Sequence, residues 1–377
     1  MRYRFRFSFV NKQKRYFMKK KIILTTGGTA GHVFPMIGLY EYLNNKQYDV
    51  TFVTDIRAKK YFDHKILNKV KIFNVNSPNN QKGFSKIFSL LSLFMFTIYS
   101  FFFLAKEKPQ LIIGSGGYAS FPVLMAAYFL KINIIIYETN AIIGRTNKFF
   151  YYFCKKLFIG FDNKKELPEK YQKKTVYVGQ LLRDIFQNYD KEEILKKSNK
   201  SLTLLILGGS QTAKFFGVNL ASVLKGINKK IIPLTIFHQC KSEDQNLIKS
   251  AYGNDINVEL FDFHPTIIDL MKKTDLAIVR SGSSTVSELV ALNLPFIAVP
   301  LPTSLDNHQY FNAKFYEEKG CCWILEQKIF NAETFETIFR EIVKNDKNQL
   351  NTKIKNMKLL NKANVLETFE KEIKQYL

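Results

Sequence analysis

The sequence predicts an α/β fold of two similar domains, each built on a parallel sheet covered on both faces. Three observations carry that prediction. Short apolar strands alternate with helical stretches, which is the pattern of parallel sheets covered on both faces. The strands end repeatedly in glycine turns that open into helices. The strand–glycine-turn–helix unit at Gly27 restarts at Gly208, so each half of the 377-residue chain has its own opening.

The elements follow in order. Lys21–Thr26 is an apolar strand leading into Gly27-Gly-Thr-Ala-Gly-His32 and a helix in which Val33, Phe34, Ile37 and Tyr40 recur at helical spacing. Pro35 suits the first turn of that helix, where its missing N–H costs nothing. Val50–Thr54 is the next strand. Leu111–Ile113 ends in Gly114-Ser-Gly-Gly-Tyr118, and Ile132–Tyr137 ends in Glu138-Thr-Asn140. In the second half, Leu202–Leu207 ends in Gly208-Gly-Ser-Gln211, Leu276–Val279 ends in Arg280-Ser-Gly-Ser-Ser284, and Pro295–Val299 is a further strand. The expected division is a basic extension over 1–19, a first domain over 20–182 with 362–377 returning to it, and a second domain over 183–361.

Composition bounds the function without choosing it. Lys and Arg number 56 against 32 Asp and Glu, a net charge of +24. That balance favours anionic partners such as phosphorylated substrates, nucleic acid or an anionic membrane surface, although compositional drift toward Lys, Asn, Ile and Phe accounts for it equally well. No nucleic-acid module and no basic helix with interleaved aromatics is present, so no nucleic-acid partner is expected. Cys154, Cys240, Cys321 and Cys322 form neither a C-x-x-C pair nor a zinc spacing, which implies a reduced protein without a structural metal. The segment to Phe17 is basic and aromatic, and Phe7-Ser-Phe-Val10 is too short for a signal sequence. Met18-Lys-Lys-Lys21 leads at once into a strand, so the preceding residues are expected to be a disordered arm or to lie ahead of the natural start.

The run Ile87–Ala105 holds only apolar, aromatic, Ser and Thr side chains and approaches the ~20 residues of a membrane span. A single span would separate the glycine turns at Gly27–Gly31 and Gly114–Gly117, which both look like parts of one site. A helix that is partly core and partly membrane-facing is therefore expected, flanked by Lys82, Lys86, Lys106 and Lys108 for anionic headgroups. A wholly buried helix and a true span are the competing readings.

Open α/β sheets bind ligands at the carboxyl ends of their strands, and glycine turns at helix starts favour anions. Every glycine turn above lies at such an end. The first matches the dinucleotide fingerprint only in part: Gly28 and Gly31 fit, but Thr26 stands at the first glycine position, with Asp55 near the end of the second strand. Two domains each offering such turns suit a nucleoside diphosphate and a second phosphorylated substrate.

These motifs carry a resemblance. Gly27-Gly-Thr-Ala-Gly-His-Val-Phe-Pro35, Gly116-Gly-Tyr-Ala-Ser-Phe-Pro122, Glu138-Thr-Asn140, Gly208-Gly-Ser-Gln211, Arg280-Ser-Gly-Ser-Ser-Thr-Val-Ser-Glu288 and Asp306-Asn-His-Gln-Tyr-Phe-Asn-Ala313 resemble the MurG family in order and spacing. The resemblance implies two Rossmann-like domains facing a cleft, the GT-B glycosyltransferase architecture. It also implies an inverting transfer of N-acetylglucosamine from UDP-N-acetylglucosamine to the muramoyl 4-hydroxyl of undecaprenyl-diphosphate-linked lipid I, giving lipid II. That places the chain at the cytoplasmic face of the inner membrane, as a peripheral protein among other cell-wall synthesis proteins, with consequences for cell shape and division. No cofactor is required, and stimulation by Mg²⁺ is left open.

The same resemblance assigns candidate residues. An inverting displacement needs a base for the acceptor hydroxyl and stabilisation for the departing UDP. His32, at a helix start that disfavours imidazolium, is a candidate base or diphosphate contact. Glu138 is the second candidate base, or a carboxylate that fixes its own loop. Thr29, Ala30 and Gly31 would offer backbone contacts, and Asn140 and Gln309 amides for sugar hydroxyls. Arg183 and Ser210 would serve the nucleotide and diphosphate, and His264 the uracil through its main chain. Ser283, Ser284, Thr285, Val286, Ser287 and Glu288 would line the donor site, with Glu288 on the ribose or, by its capping-box spacing from Thr285, merely capping its helix. Gly116, Gly117 and Tyr118 lie on the acceptor side. The sequence departs from the family pattern at Ala30, at Tyr137 (usually His), at Thr212 (usually Gly), and at Gln180-Leu181 (usually Asn-Pro before the arginine). Competing readings are a related UDP-sugar transferase with another lipid acceptor and a nicotinamide-dependent oxidoreductase.

Overall fold

The computed structural model describes residues 19–73, 84–187, 201–208, 214–264, 266–361 and 364–377. The extension to Phe17, Lys82, Ser210, Gln211 and Thr212 lie outside the described residues, as does the side chain of Lys86.

Consecutive apolar residues in the first strand, with Ile22, Ile23 and Leu24 all fully buried, require cover on both faces of a sheet. The structure supplies it. The first domain holds β1 (Lys21–Thr25), β2 (Asp49–Asp55), β3 (Val70–Phe73), β4 (Leu111–Gly114), β5 (Asn133–Glu138), β6 (Lys156–Ile159) and β7 (Thr175–Tyr177). They form one sheet in the order β3-β2-β1-β4-β5-β6-β7, and every pairing is parallel. The second domain repeats the plan with β8 (Leu202–Leu207), β9 (Leu234–Gln239), β10 (Asn257–Phe261), β11 (Leu276–Val279), β12 (Phe296–Ala298) and β13 (Cys322–Ile324), in the order β10-β9-β8-β11-β12-β13, also parallel. Strand order reverses between β1 and β4 and between β8 and β11. Those two switch points are where such sheets open a crevice for ligands.

Helix α1 (Ala30–Asn45) follows the first glycine turn. It begins earlier than the sequence suggests, so Pro35 lies in its second turn rather than its first. A proline there leaves the Gly31 carbonyl without its helical donor. The Ser284 hydroxyl of the other domain donates to that carbonyl at 3.4 Å.

Helix α2 (Phe84–Glu107) crosses from β3 to β4. Because β1 and β4 are hydrogen-bonded neighbours, the turns that follow them lie on the same side of one sheet, which excludes a span between them. The helix is not wholly buried either. Ser89, Ser100 and Leu104 face the domain, and Phe96 stacks on Phe73 at 5.6 Å. Phe88, Leu91, Phe94, Met95, Tyr99 and Phe102 are each more than half exposed. One stripe is core and the opposite stripe is bare.

Helices α3 (Ser120–Phe129) and α4 (Arg145–Phe150) follow β4 and β5. In the second domain, α5 (Val218–Lys230), α6 (Ser283–Ala291) and α7 (His308–Glu318) follow β8, β11 and β12. The long α8 (Ala332–Leu360) starts from a reciprocal cap, in which Thr334 N donates to Asn331 Oδ1 at 2.8 Å. After it, α9 (Val365–Ile373) buries Leu366, Phe369 and Ile373 in the first domain's core. Glu370 on that helix accepts from the hydroxyls of Tyr42 and Tyr48 at 2.8 and 3.1 Å. All four cysteines are free and buried.

Candidate active site between the two domains

The two glycine turns of the first domain meet backbone to backbone. Gly27 N donates to Gly116 O at 2.9 Å, and the Ser115 hydroxyl donates to Thr26 Oγ1 at 2.9 Å. Gly116 and Gly117 have φ of +86° and +79°, which favours glycine, and a Cβ on Gly117 would stand 2.6 Å from Gly27 Cα. Gly28 is packed against the buried carboxylate of Asp55, where a Cβ would not fit. That carboxylate is already engaged by Arg57, whose Nε and Nη2 donate to it at 3.1 and 2.6 Å. Asp55 therefore does not stand free for a ribose, in keeping with the incomplete dinucleotide fingerprint.

His32 rises from this double turn at the start of α1, half-buried, with its Nδ1 enclosed and unpartnered. Burial holds its pKa below the ordinary imidazole value. Glu138 pulls the other way, and the charges of His308 and Arg57 add to the depression. The ring is thus neutral at physiological pH, the state in which it can accept a proton.

Glu138 is almost fully buried. Its Oε1 accepts from the Asn140 backbone N–H and side-chain amide at 2.9 and 3.1 Å. Its Oε2 accepts from Gly144 N at 2.8 Å and Asn147 Nδ2 at 2.7 Å. Four donors on one carboxylate fix the β5–α4 loop, and a proton taken there would displace at least one of them. Tyr118, in the turn after β4, is half-buried.

The second domain closes on this surface through residues whose partners sequence reasoning did not identify. Asn312 on α7, fully buried, donates from Nδ2 to Asn140 Oδ1 at 3.1 Å and to Ser281 O at 3.1 Å, and accepts from Ala141 N at 2.8 Å. Arg145 reaches Asp306 with two parallel bonds of 2.9 and 3.2 Å. Asp306 and the following Asn307 both adopt left-handed φ, 52° and 56°, in the turn that opens α7. Strain of this kind in non-glycine residues gathers at ligand sites. Asn312 and Asp306 lie inside a quoted motif, but only the fold shows what they bind.

The predicted donor residues converge around α6 where they are described. Ser283, Ser284, Val286, Ser287 and Glu288 are buried and Thr285 half-buried. Ser284 Oγ donates to Ala30 O at 3.5 Å as well as to Gly31 O, and Ser287 shares a hydrogen bond with the Tyr316 hydroxyl at 3.3 Å. Because α6 starts at Ser283, Glu288 lies in its second turn and does not cap it. It meets Arg183 instead, at 2.8 Å from Nη2 and 3.2 Å from Nε. The Arg183 guanidinium lies over the rings of Phe34 and Phe186, 4.2 and 4.8 Å from their centroids. Gln309 Oε1 accepts from Leu301 N at 3.0 Å, and Thr29 stands exposed at the α1 start. His264 follows β10 at the same end of the second sheet, its Nδ1 enclosed without a partner. Among the described residues, no group of three or more His, Cys, Asp or Glu is arranged to hold a metal ion.

The geometry brings together an imidazole whose pKa burial lowers, paired glycine turns at the start of α1, and a buried carboxylate, all at one domain interface. Residues 22–159 match the glycosyltransferase family 28 N-terminal domain, and residues 203–370 match its C-terminal domain. A protein of Rickettsia bellii is 37% identical over 339 residues, covering 88% of this chain and 93% of its own length. One from Pelagibacter ubique is 37% identical over 353 residues, covering 92% and 96%. Both carry the name UDP-N-acetylglucosamine–N-acetylmuramyl-(pentapeptide) pyrophosphoryl-undecaprenol N-acetylglucosamine transferase. Among solved structures, MurG of Acinetobacter baumannii superposes with a TM-score of 0.76 at 24% identity, covering 94% of this chain and 99% of that one. The UDP complex of Staphylococcus aureus MnaA does so at 0.66 and 16%, covering 95% and 96%.

Proposed function

The chain belongs to the MurG family of N-acetylglucosaminyltransferases, and from that premise we propose how and where it works. It moves N-acetylglucosamine from UDP-N-acetylglucosamine to the undecaprenyl-diphosphate-linked muramoyl-peptide acceptor of peptidoglycan synthesis. The observation that carries this reading is the likeness, over nearly the whole chain, to relatives named for that reaction. Neither a nicotinamide oxidoreductase nor another acceptor is favoured.

In this reading the donor lies against the second domain, with its diphosphate at the turn after β8 and its ribose against Glu288. Arg183 must then release Glu288, or share it, as the nucleotide enters. The acceptor's diphosphate meets the paired glycine turns, whose N–H groups and α1 start favour an anion. His32 takes the proton of the attacking hydroxyl as the bond between the sugar and UDP breaks. Asn140 and Gln309 orient the transferred sugar. No resident metal enters this scheme, so removing divalent ions with a chelator leaves turnover in place, and any stimulation by Mg²⁺ is additive.

The bare stripe of α2 supports work at a membrane surface. A lipid-linked acceptor has its tail in the bilayer, so the enzyme must come to it. Lys106 and Lys108 at the end of the helix suit anionic headgroups. In this reading attachment is peripheral, at the cytoplasmic face, beside the other enzymes that build the wall.

The test is transfer itself. Purified protein is incubated with labelled UDP-N-acetylglucosamine and a short-chain acceptor analogue, and the disaccharide product is measured. Product that disappears in Glu288→Ala and Ser210→Ala, with the fold intact, supports both reaction and donor site. Retained UDP binding without transfer would overturn the acceptor assignment.

A further inference from the structure

Arg280 is a cation enclosed in protein with no acidic partner among the described residues. The residue is 6% exposed at the carboxyl end of β11, and no carboxylate pairs with it among the described residues. Its Nη1 donates to the carbonyls of Val299 and Pro300 at 3.0 and 3.1 Å, and its Nη2 to Gln327 Oε1 at 2.8 Å. Its Nε is buried and has no acceptor among the described residues. The rings of Phe215 and Phe216 flank the guanidinium, 5.1 and 5.0 Å from their centroids. Neutral carbonyls satisfy donors but do not cancel a charge, and burial alone draws the group down to about 10. A buried, unpaired charge is costly and is normally balanced by a counter-ion.

Its position says where that counter-ion belongs. Arg280 N donates to Leu207 O, the last residue of β8, while Phe215 and Phe216 come from the turn just before α5. Arg280 therefore sits between the two ends of the turn that opens at Gly208, at the β8/β11 switch point of the second sheet.

We propose that Arg280 supplies the fixed positive charge for the donor's diphosphate, with the Nε–H as its unspent donor. This rests on the reading that the second domain holds the UDP moiety. The ligand's charge completes a site that is otherwise a buried, unbalanced cation. The same guanidinium, through the Val299 and Pro300 carbonyls, steadies the chain leading to Leu301, whose N–H holds Gln309. Diphosphate binding and the placing of the sugar contact are thereby linked through one side chain.

The experiment compares UDP with uridine by calorimetric titration of the full chain, in wild type, Arg280→Gln and Arg280→Lys. UDP and uridine share base and ribose and differ in the diphosphate alone. Arg280→Gln is expected to weaken UDP by about tenfold or more and uridine by less than about twofold. Arg280→Lys, which keeps the charge but lacks the Nε–H, is expected to weaken UDP by an intermediate factor of about three- to tenfold and uridine by less than about twofold. Equal weakening of both ligands in the glutamine variant would mean a structural role only and overturn the proposal. So would an unchanged UDP affinity. Should the glutamine variant not fold, the lysine variant decides, and equal weakening of UDP and uridine there, or an unchanged UDP affinity, overturns the proposal. A wild type that binds neither ligand overturns the donor-site reading itself, a result separable from all of these.

Discussion

The Tyr137 hydroxyl, fully buried, accepts a hydrogen bond from Leu181 N at 2.9 Å and donates one to Gly179 O at 3.1 Å. Two departures from the family pattern thus meet in space. The pattern has His at the first position and Pro at the second. Leucine restores an N–H that proline lacks, and the tyrosine hydroxyl accepts from it. Tyr137→Phe strands both a buried donor and a buried carbonyl, and is expected to cost about 2–4 kcal/mol in urea denaturation. In a Leu181→Pro background the same change should cost at least about 1 kcal/mol less, because the donor is already gone. Additive losses would show that the pair is not coupled.

Arg183 and Glu288 form a second such pair. The carboxylate is 8% exposed and the guanidinium 23%. Burial pushes the Glu288 pKa up while Arg183 opposes the shift. Arg183→Met leaves a carboxylate enclosed without its cation, which should destabilise by on the order of 2 kcal/mol after allowance for the exposed arginine. Adding Glu288→Gln should recover part of that loss in stability but not the donor binding. Full recovery of UDP affinity in the double variant would remove Glu288 from the ribose site.

His32 sets a pH dependence whose sign follows from its burial. A base works only in its neutral form. Its pKa is lowered chiefly by desolvation, so the neutral form persists below the ordinary value of about 6.5. The acid limb of kcat/KM should therefore fall below pH ~6.5 rather than at it, and activity should be flat through neutrality. His32→Gln is expected to lower the rate by about 10²–10⁴-fold and to abolish that limb. A limb that survives in the variant belongs to another group.

Much of this was legible in the sequence because glycine turns at strand ends have few other uses. Gly27, Gly116 and Gly208 located the strand ends of both sheets, and the restart at Gly208 separated the domains. The partners were not legible. Nothing near Asn312, Arg145 or Arg280 in the chain indicates what each will meet, since the contacts of the first two depend on how the domains close and those of Arg280 on how distant segments of the second domain come together. Glu288 shows the limit from the other side. Its spacing from Thr285 suggests a cap, but a helix that begins at Ser283 turns the carboxylate toward Arg183.

Gly117 tests whether the two first-domain turns act as one cradle. Its φ is +79°, and a Cβ would press on Gly27 Cα. Gly117→Ala should force the turns apart, costing about 1–3 kcal/mol and lowering turnover. The check is to compare thermal denaturation with the KM for the acceptor. A raised acceptor KM with donor binding unchanged fits a shared anion cradle. Unchanged kinetics would mean that the Gly27–Gly116 contact is scaffolding.

The exposed stripe of α2 makes the last prediction. Phe88 and Phe102 are 70% and 68% exposed, and Phe94 and Met95 each 62%. The hydropathy of the helix would suit a span, but only its inner stripe is packed, so the outer one is an apolar surface of the kind that marks a membrane or protein contact. Replacing Phe94 and Phe102 together by Ser removes two large side chains from that stripe while leaving Ser100, Leu104 and Phe96 in the core. Sedimentation with anionic phospholipid vesicles should fall by about tenfold or more, since each aromatic buried in a bilayer is worth about 1.5–3 kcal/mol. Turnover of a short-chain, soluble acceptor should be unchanged, because neither residue contacts the cleft residues described above. Loss of both vesicle binding and soluble turnover would mean that the stripe supports the fold. Retention of vesicle binding would move the membrane-facing surface away from α2.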